Sequence, residues 1–384
     1  MSVIRLADYG LKLGPDCGWG QQRYDLVSTS DETGSEQTRL KGVPRWTLSL
    51  VQPAWLTLAE GGAWQAMVVA LRGKVNRLEA YDPVRLAPQG TARGALTLSA
   101  DVAAGASTIG LSGARAGNNL LYATEDLTAD VWFGGTTVTA NVATAPSGAG
   151  NGDLISAGSA GLSCSQYTPS IASGVAVTLS GSFKRSGGST HVLLGFGSGS
   201  YGWFNLQTGA VGSNSQLGTA TTFSGLAITA QGNGWYRCAL TATTTGTGNL
   251  RCAILPTSGD TLGSASGDQI YAWGIKAAVE AAPSAYEGLP TLKPGDLLRI
   301  GSGLGTSQCV MAMGPSDTVA DPLGNMTVPI EAPPRIAFAS GTAVAWDKPT
   351  AFFRARGGSA SSWKYGNRGT TQVGLSLDLI ETWT

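Results

Sequence analysis

Apolar and polar residues alternate along most of this chain, which is the period of a strand with one buried face. In Arg45-Trp46-Thr47-Leu48-Ser49-Leu50 the alternation puts Trp46, Leu48 and Leu50 on one side. Pro53 ends that strand, and the period then changes. Trp64, Met67, Val68 and Leu71 follow the i, i+3, i+4, i+7 spacing of one helical stripe, with Gly73 as its stop. Such a stripe is read as core packing. Further strands are predicted at 96–99, 108–111, 297–301, 309–313, 326–330, 342–346 and 375–379. Leu292-Lys293-Pro294-Gly295-Asp296 has Pro and Gly where a type II turn wants them.

Between these flanks, strands are predicted at 175–182, 191–194, 202–205, 223–228, 236–241, 249–254 and 270–275, with Gly, Asn and Ser turns between them. That spacing predicts a two-sheet sandwich of jelly-roll type. Deleting 118–288 on paper joins the strand at 108–111 to the turn at 292–296 by an ordinary connection. Lengthening a loop costs only about 0.6 kcal/mol per doubling, so an insertion at a turn is readily tolerated. The expected organisation is an assembly domain in two halves, 1–117 and 289–384, split by an inserted module at 118–288.

Composition supports a mainly β chain. Only 13% of the 384 residues are charged and 55 are glycine, so long charge-flanked helices are not expected. The 25 basic residues are matched by 25 acidic ones, with no basic run of the kind that gains from counterion release on nucleic acid. No apolar run reaches the roughly 18 residues that span a bilayer, and the first residues lack a signal pattern. Synthesis in the cytoplasm, without nucleic-acid or membrane partners, is the expectation.

The five cysteines have no Cys-x-x-Cys spacing and fit neither a zinc ribbon nor a disulfide framework. If strands 236–241 and 249–254 form a hairpin turning at Thr245, Cys238 and Cys252 stand opposite each other as two buried thiols. The one histidine, His191, lies in a predicted strand, too little for a triad or a zinc hydrolase. Two carboxylates alone can serve a glycosidase. The module has few acids, however, and no aromatic-flanked acid pair, so the chain is expected not to be an enzyme. Gly195-Phe-Gly-Ser-Gly199 lacks the Gly-Lys-Ser/Thr of a nucleotide loop and reads as a turn.

In the flanks, Trp64-Gln-Ala, Leu71-Arg-Gly-Lys-Val-Asn-Arg-Leu78, Tyr81-Asp-Pro83, Leu292-Lys-Pro-Gly-Asp-Leu-Leu-Arg-Ile-Gly301 and Pro329-Ile-Glu-Ala-Pro-Pro-Arg335 together resemble the tail-tip proteins of long-tailed bacteriophages, most of all distal tail proteins. The segment through Glu36 matches no part of that pattern. The resemblance implies a β-barrel or sandwich domain with one short helix. It also implies a virion protein of the tail tip, assembled in the host cytoplasm as a ring of six, or next a trimer, between the tail tube protein and the baseplate hub protein.

In the insert, Asn119-Leu-Leu121, Glu125-Asp-Leu127, Trp132, Gly234-Trp-Tyr-Arg237, Ile270-Tyr-Ala-Trp-Gly274 and Ala285-Tyr286 resemble the carbohydrate-binding-like jelly rolls of phage tail and surface proteins. This implies contact with a host cell-surface glycan. Sugars are held by aromatic rings flanked by amides and carboxylates. The candidates are Trp132, Phe133, Tyr201, Trp203 and Phe204, with Asn205 and Gln207 nearby. Tyr201 and Trp203 lead, because they lie two apart beside the turn 197–200 and share a face. Trp235, Tyr236 and Trp273 read as core.

Such modules often carry a structural calcium. Here Glu125, Asp126, Asp153 and Asp268 are the carboxylates that would bind it, against the competing reading of surface acids and turn caps. The alternative function is a secreted or surface carbohydrate-binding protein, one that degrades polysaccharide included.

Overall fold

The two ends of the chain fold together in the computed structural model, which describes residues 2–384 except 159–162, 197–199, 213–220, 260–264, 357–363, 367–370 and 374. One six-stranded sheet runs, from edge to edge, through Val3–Arg5, Arg77–Tyr81, Thr350–Ala355, Ser376–Glu381, Glu36–Val51 and Gly18–Thr29. Trp46, Leu48 and Leu50 line its buried face as their alternation predicts, opposite Leu377 and Leu379 of the last strand. Asp378 lies between those leucines on the wet face.

The helix Leu58–Leu71 covers the same core. Thr57 and Glu60 close a capping box at its start, and Trp64, Met67, Val68 and Leu71 are buried beneath it. Capping boxes satisfy two orphan amides at once, which fixes where the helix begins. Lys12 pairs with Glu60, and the Lys12 carbonyl accepts the Trp64 indole N–H at 3.0 Å. The hydrogen bond from Lys12 and the Thr57 contacts hold the Glu60 carboxyl down at about 2.

A second six-stranded sheet again mixes early and late strands, in the order Val344–Ala345, Leu297–Gly301, Ser307–Ala312, Met326–Glu331, Thr108–Ser112 and Thr97–Leu98. The Trp46 indole donates to the Cys309 carbonyl at 2.8 Å, tying the first sheet to this one. Gly295 has φ +95°, as the predicted turn requires, and the turn aims Asp296 back into the body. The buried Asp296 carboxylate accepts three backbone amides: Gln89 at 2.7 Å, Gly90 at 3.2 Å and Lys293 at 2.7 Å. One side chain therefore joins residues 89–90 to the turn at 293–296. Among the described residues these sheets keep open edges and no barrel closes. The sandwich half of the expectation describes them.

Glu381, at the end of the last strand, is buried and accepts the Trp46 amide at 3.0 Å. Burial pushes its carboxyl up to about 7, against the lowering effects of that amide, Trp383, Arg335 and Arg45. Between about 4.5 and 7 the folded chain then holds a proton that the unfolded chain has lost, so stability falls as pH rises through this window. The loss amounts to about 3 kcal/mol at 1.36 kcal/mol per unit. Urea unfolding of Glu381→Gln, which keeps an acceptor for Trp46, is expected to lose this slope and to exceed wild type at pH 8. Equal slopes would overturn the assignment.

Among the described residues, the named strands between 136 and 278 share sheets with one another and with no named strand of the flanks. They form a six-stranded sheet in the order Thr136–Ala143, Gly152–Ala157, Gln269–Ala278, Ala176–Ser186, Trp235–Thr244 and Thr221–Gly232. Facing it is a five-stranded sheet, Cys164–Ile171, Gly248–Thr257, His191–Phe196, Ser200–Asn205 and Ala210–Val211. Phe183, Phe196, Phe204, Leu240 and Ile254 fill the space between them, the packing of a sandwich.

Cys238 and Cys252 do not form the expected cross-strand pair. Trp235–Thr244 belongs to the first sheet and Gly248–Thr257 to the second, so the chain crosses between sheets where a hairpin was expected. Both are free, buried thiols. Burial pushes each of them, and Cys164 (to about 12), far from thiolate.

The entry to this unit is stitched by Asn119. Its buried side chain accepts the Leu121 and Ala277 amides, both at 3.1 Å, and donates to the Ile275 carbonyl at 3.2 Å.

Candidate functional site

The outer face of the five-stranded sheet follows from strand alternation. In Cys164–Ile171 the even positions Cys164, Gln166 and Thr168 are buried, while Tyr167 stands outward at 54% exposure. Directly opposite Tyr167 is Arg251, and opposite Ser165 is Ala253. Gly195 lies across from Ala253 and Tyr201 across from Gly195; Leu193 lies across from Leu255 and Trp203 across from Leu193. One face thus carries Tyr167 and Arg251 at one side and Tyr201, Trp203, Leu193 and Leu255 at the other.

At the open edge of this sheet Phe133 joins as an isolated bridge to Ser165, with the two backbone bonds each 2.8 Å. The bridge depends on Gly134, whose φ is +139° and whose missing Cβ would lie 1.7 Å from the Ser163 carbonyl oxygen. Any other residue there would push Phe133 off the edge. Phe133 is 40% exposed and stacks on Tyr167, with ring centroids 5.2 Å apart and planes at 23°. The Arg251 guanidinium lies 5.5 Å from the Phe133 centroid. Its Nε donates to Ser165 Oγ at 3.2 Å and one Nη to Ser163 Oγ at 3.1 Å. Beside Phe133 is a cavity of about 180 Å3, with Thr128, Trp132 and Thr136 in its wall.

The leading aromatic pair from sequence is placed differently from what a ligand platform needs. Tyr201 and Trp203 do share a face, with centroids 6.3 Å apart. Trp203, however, is only 1% exposed, packed on Leu193 and Leu255. Trp132 is buried in the main core, its indole N–H donating to the Ala123 carbonyl at 3.0 Å, and Phe204 is buried there too. Asn205 caps a turn by accepting the Gln207 and Thr208 amides at 2.8 and 2.9 Å. The predicted turn at 197–199, and with it that part of the 195–199 segment, lies outside the described residues. Of the candidate rings, Phe133 is exposed and Tyr201 half-buried, while Trp132, Trp203 and Phe204 are buried. Tyr167 was missed because it sits in Gln166-Tyr167-Thr168-Pro169, where no run of alternating apolar residues marks a strand.

The four acids do not converge. Asp153 is buried and gives its oxygens to the Leu127 and Asn141 amides at 2.7 and 2.9 Å. Burial raises its pKa, with a further push from Asp126. Asp268 accepts the Ala265 amide at 2.7 Å and the Ser189 hydroxyl at 3.2 Å. Glu125 accepts from Asn151 at 2.8 Å, and its pKa is raised by burial. Asp126 turns onto Thr128. Among the described residues no group of three or more His, Cys, Asp or Glu is placed to hold a metal ion. These carboxylates act as turn and strand caps, and they do not fit a shared calcium shell. His191 Nδ1 lies 2.7 Å from the Thr190 hydroxyl. Trp235 and Trp273 are buried as expected, in a small cluster with Ala145, and Tyr236 is partly buried against the main core.

No protein-family model matches this chain, and no curated protein matches it. A solved structure does: the enzymatically active domain of tailspike protein 4 of bacteriophage CBA120, at 14% identity and a TM-score of 0.27. The match covers 42% of this chain and 22% of that one. The expectation that the chain is not an enzyme is corrected here. The matched domain is enzymatically active. A likeness this slight assigns no reaction and no catalytic residue to the chain.

Proposed function

We propose that this chain is a protein of the phage virion, built into the tail tip. In this reading the flanks form a ring between the tail tube protein and the baseplate hub protein, six copies being the first choice and three the next. The inserted sandwich projects from the ring and touches glycan on the host cell surface. The resemblance of the flanks to distal tail proteins supports the ring. A ring repeats one heterologous interface, and repetition turns weak sugar contacts into avidity.

The observation that carries the glycan contact is the exposed Phe133–Tyr167 stack at the edge of its sheet. Rings presented in this way stack on the apolar face of a pyranose, and Phe133 at the back holds Tyr167 in place. A glycan array probed with the full chain is expected to give binding that Tyr167→Ala weakens at least tenfold without changing the melting temperature. Binding that survives Tyr167→Ala would sink this platform. Electron microscopy of the chain mixed with tail tube protein tests the ring, and a chain that stays monomeric in that mixture would count against it.

A further inference from the structure

Arg251 is the charged group of the platform, and its hydrogen bonds divide its five N–H groups in an informative way. Nε–H and the neighbouring Nη–H leave the guanidinium on one side, and they are taken by the hydroxyls of Ser165 and Ser163. Those two bonds, together with the Phe133 ring, fix the plane of the group. The end-on pair of N–H groups has no protein acceptor among the described residues, and none of the described acids forms an ion pair with Arg251. A cation is thus held in a set orientation with one fork unfilled. It sits directly across the strand pair from Tyr167, so the two Cβ atoms are about 5 Å apart.

From this geometry we infer that the platform selects acidic glycan, specifically sugars bearing a ring carboxylate. The inference rests on the glycan reading above. A uronic acid carries its carboxylate one bond outside the pyranose ring. With that ring stacked on Tyr167, the carboxylate reaches sideways to the next strand and meets the open fork of Arg251. Planar guanidinium and planar carboxylate match in a bidentate pair, which a neutral hydroxymethyl cannot form, while a sulfate ester carries its anionic oxygens one bond farther from the ring and off this line. The serines add selectivity because they spend the other fork and leave one approach direction.

The test is equilibrium binding of the full chain to three probes: a polyuronate, a neutral polysaccharide and dextran sulfate. Wild type is expected to bind the polyuronate about tenfold to a hundredfold more tightly than the neutral polymer, the range of one charge-assisted pair. Arg251→Gln should erase that preference, and Tyr167→Ala should weaken binding of both polymers. Arg251→Lys keeps the charge without the fork and is expected to recover less than half of the preference in log units. Equal wild-type affinity for charged and neutral polymers, or a preference that survives Arg251→Gln, overturns the acidic assignment and leaves the glycan reading standing. Equal affinity for dextran sulfate and polyuronate overturns the carboxylate assignment, since charge alone would then suffice. Binding to none of the probes, with a null glycan array, sinks both readings together.

Discussion

Trp203→Ala is expected to lower the unfolding free energy by about 3–5 kcal/mol, the range for removing a fully buried Trp. The ring is 1% exposed and fills the space over Leu193 and Leu255, so truncation leaves a cavity that neighbouring strands cannot close without losing register. Glycan affinity of the folded fraction should stay within twofold, because the Phe133–Tyr167 stack stands across the sheet from it. Thermal or urea unfolding followed by tryptophan fluorescence checks the first half, and binding below the transition checks the second. Near-native stability combined with lost binding would show Trp203 to be a contact residue after all.

Asp296→Ala should cost about 4 kcal/mol. Hydrogen bonds to a charged acceptor are worth about 1.5–3 kcal/mol each, and three amides lose theirs at once, offset in part by water entering the gap. The Gln89 and Gly90 amides belong to the first half of the body and the Lys293 amide to the second, so the change opens the seam between them. Asp296→Asn retains one acceptor oxygen and should cost roughly half as much on the same scale. Urea unfolding at fixed pH distinguishes these outcomes. A change of less than about 1 kcal/mol in the alanine variant would mean that the turn at 293–296 holds the seam without the carboxylate.

Most of the strands were legible because burying one face of a sheet forces alternation on the sequence. The helix stripe and the Pro-Gly turn were legible for equally local reasons. Thr350–Ala355 was missed: Ala351, Phe352 and Phe353 are all buried in a strand at the middle of its sheet, so no alternation marks it. The arm Gly18–Thr29 was missed for the opposite reason. Its outer half is exposed on both faces, so it carries no buried stripe. Within the candidate site, Phe133 was among the rings the sequence offered. Trp203 and Tyr167 look alike as sequence, and only the layers around each ring bury the one and expose the other.

By itself the sequence determined a mainly β chain, one helix through 64–71, strands that alternate, and turns whose glycines permit positive φ. Each of these depends on residues within a few positions of one another. Tertiary structure alone decided that Trp235–Thr244 and Gly248–Thr257 part into different sheets, that four acids cap separate turns, and that Phe133, Tyr167 and Arg251 meet. Those three come from a bridge at an open edge, an edge strand and the strand paired to it, 34 and 84 positions apart along the chain. Contacts at such separation are set by register and by which sheet a strand joins, and neither quantity is written in local periodicity.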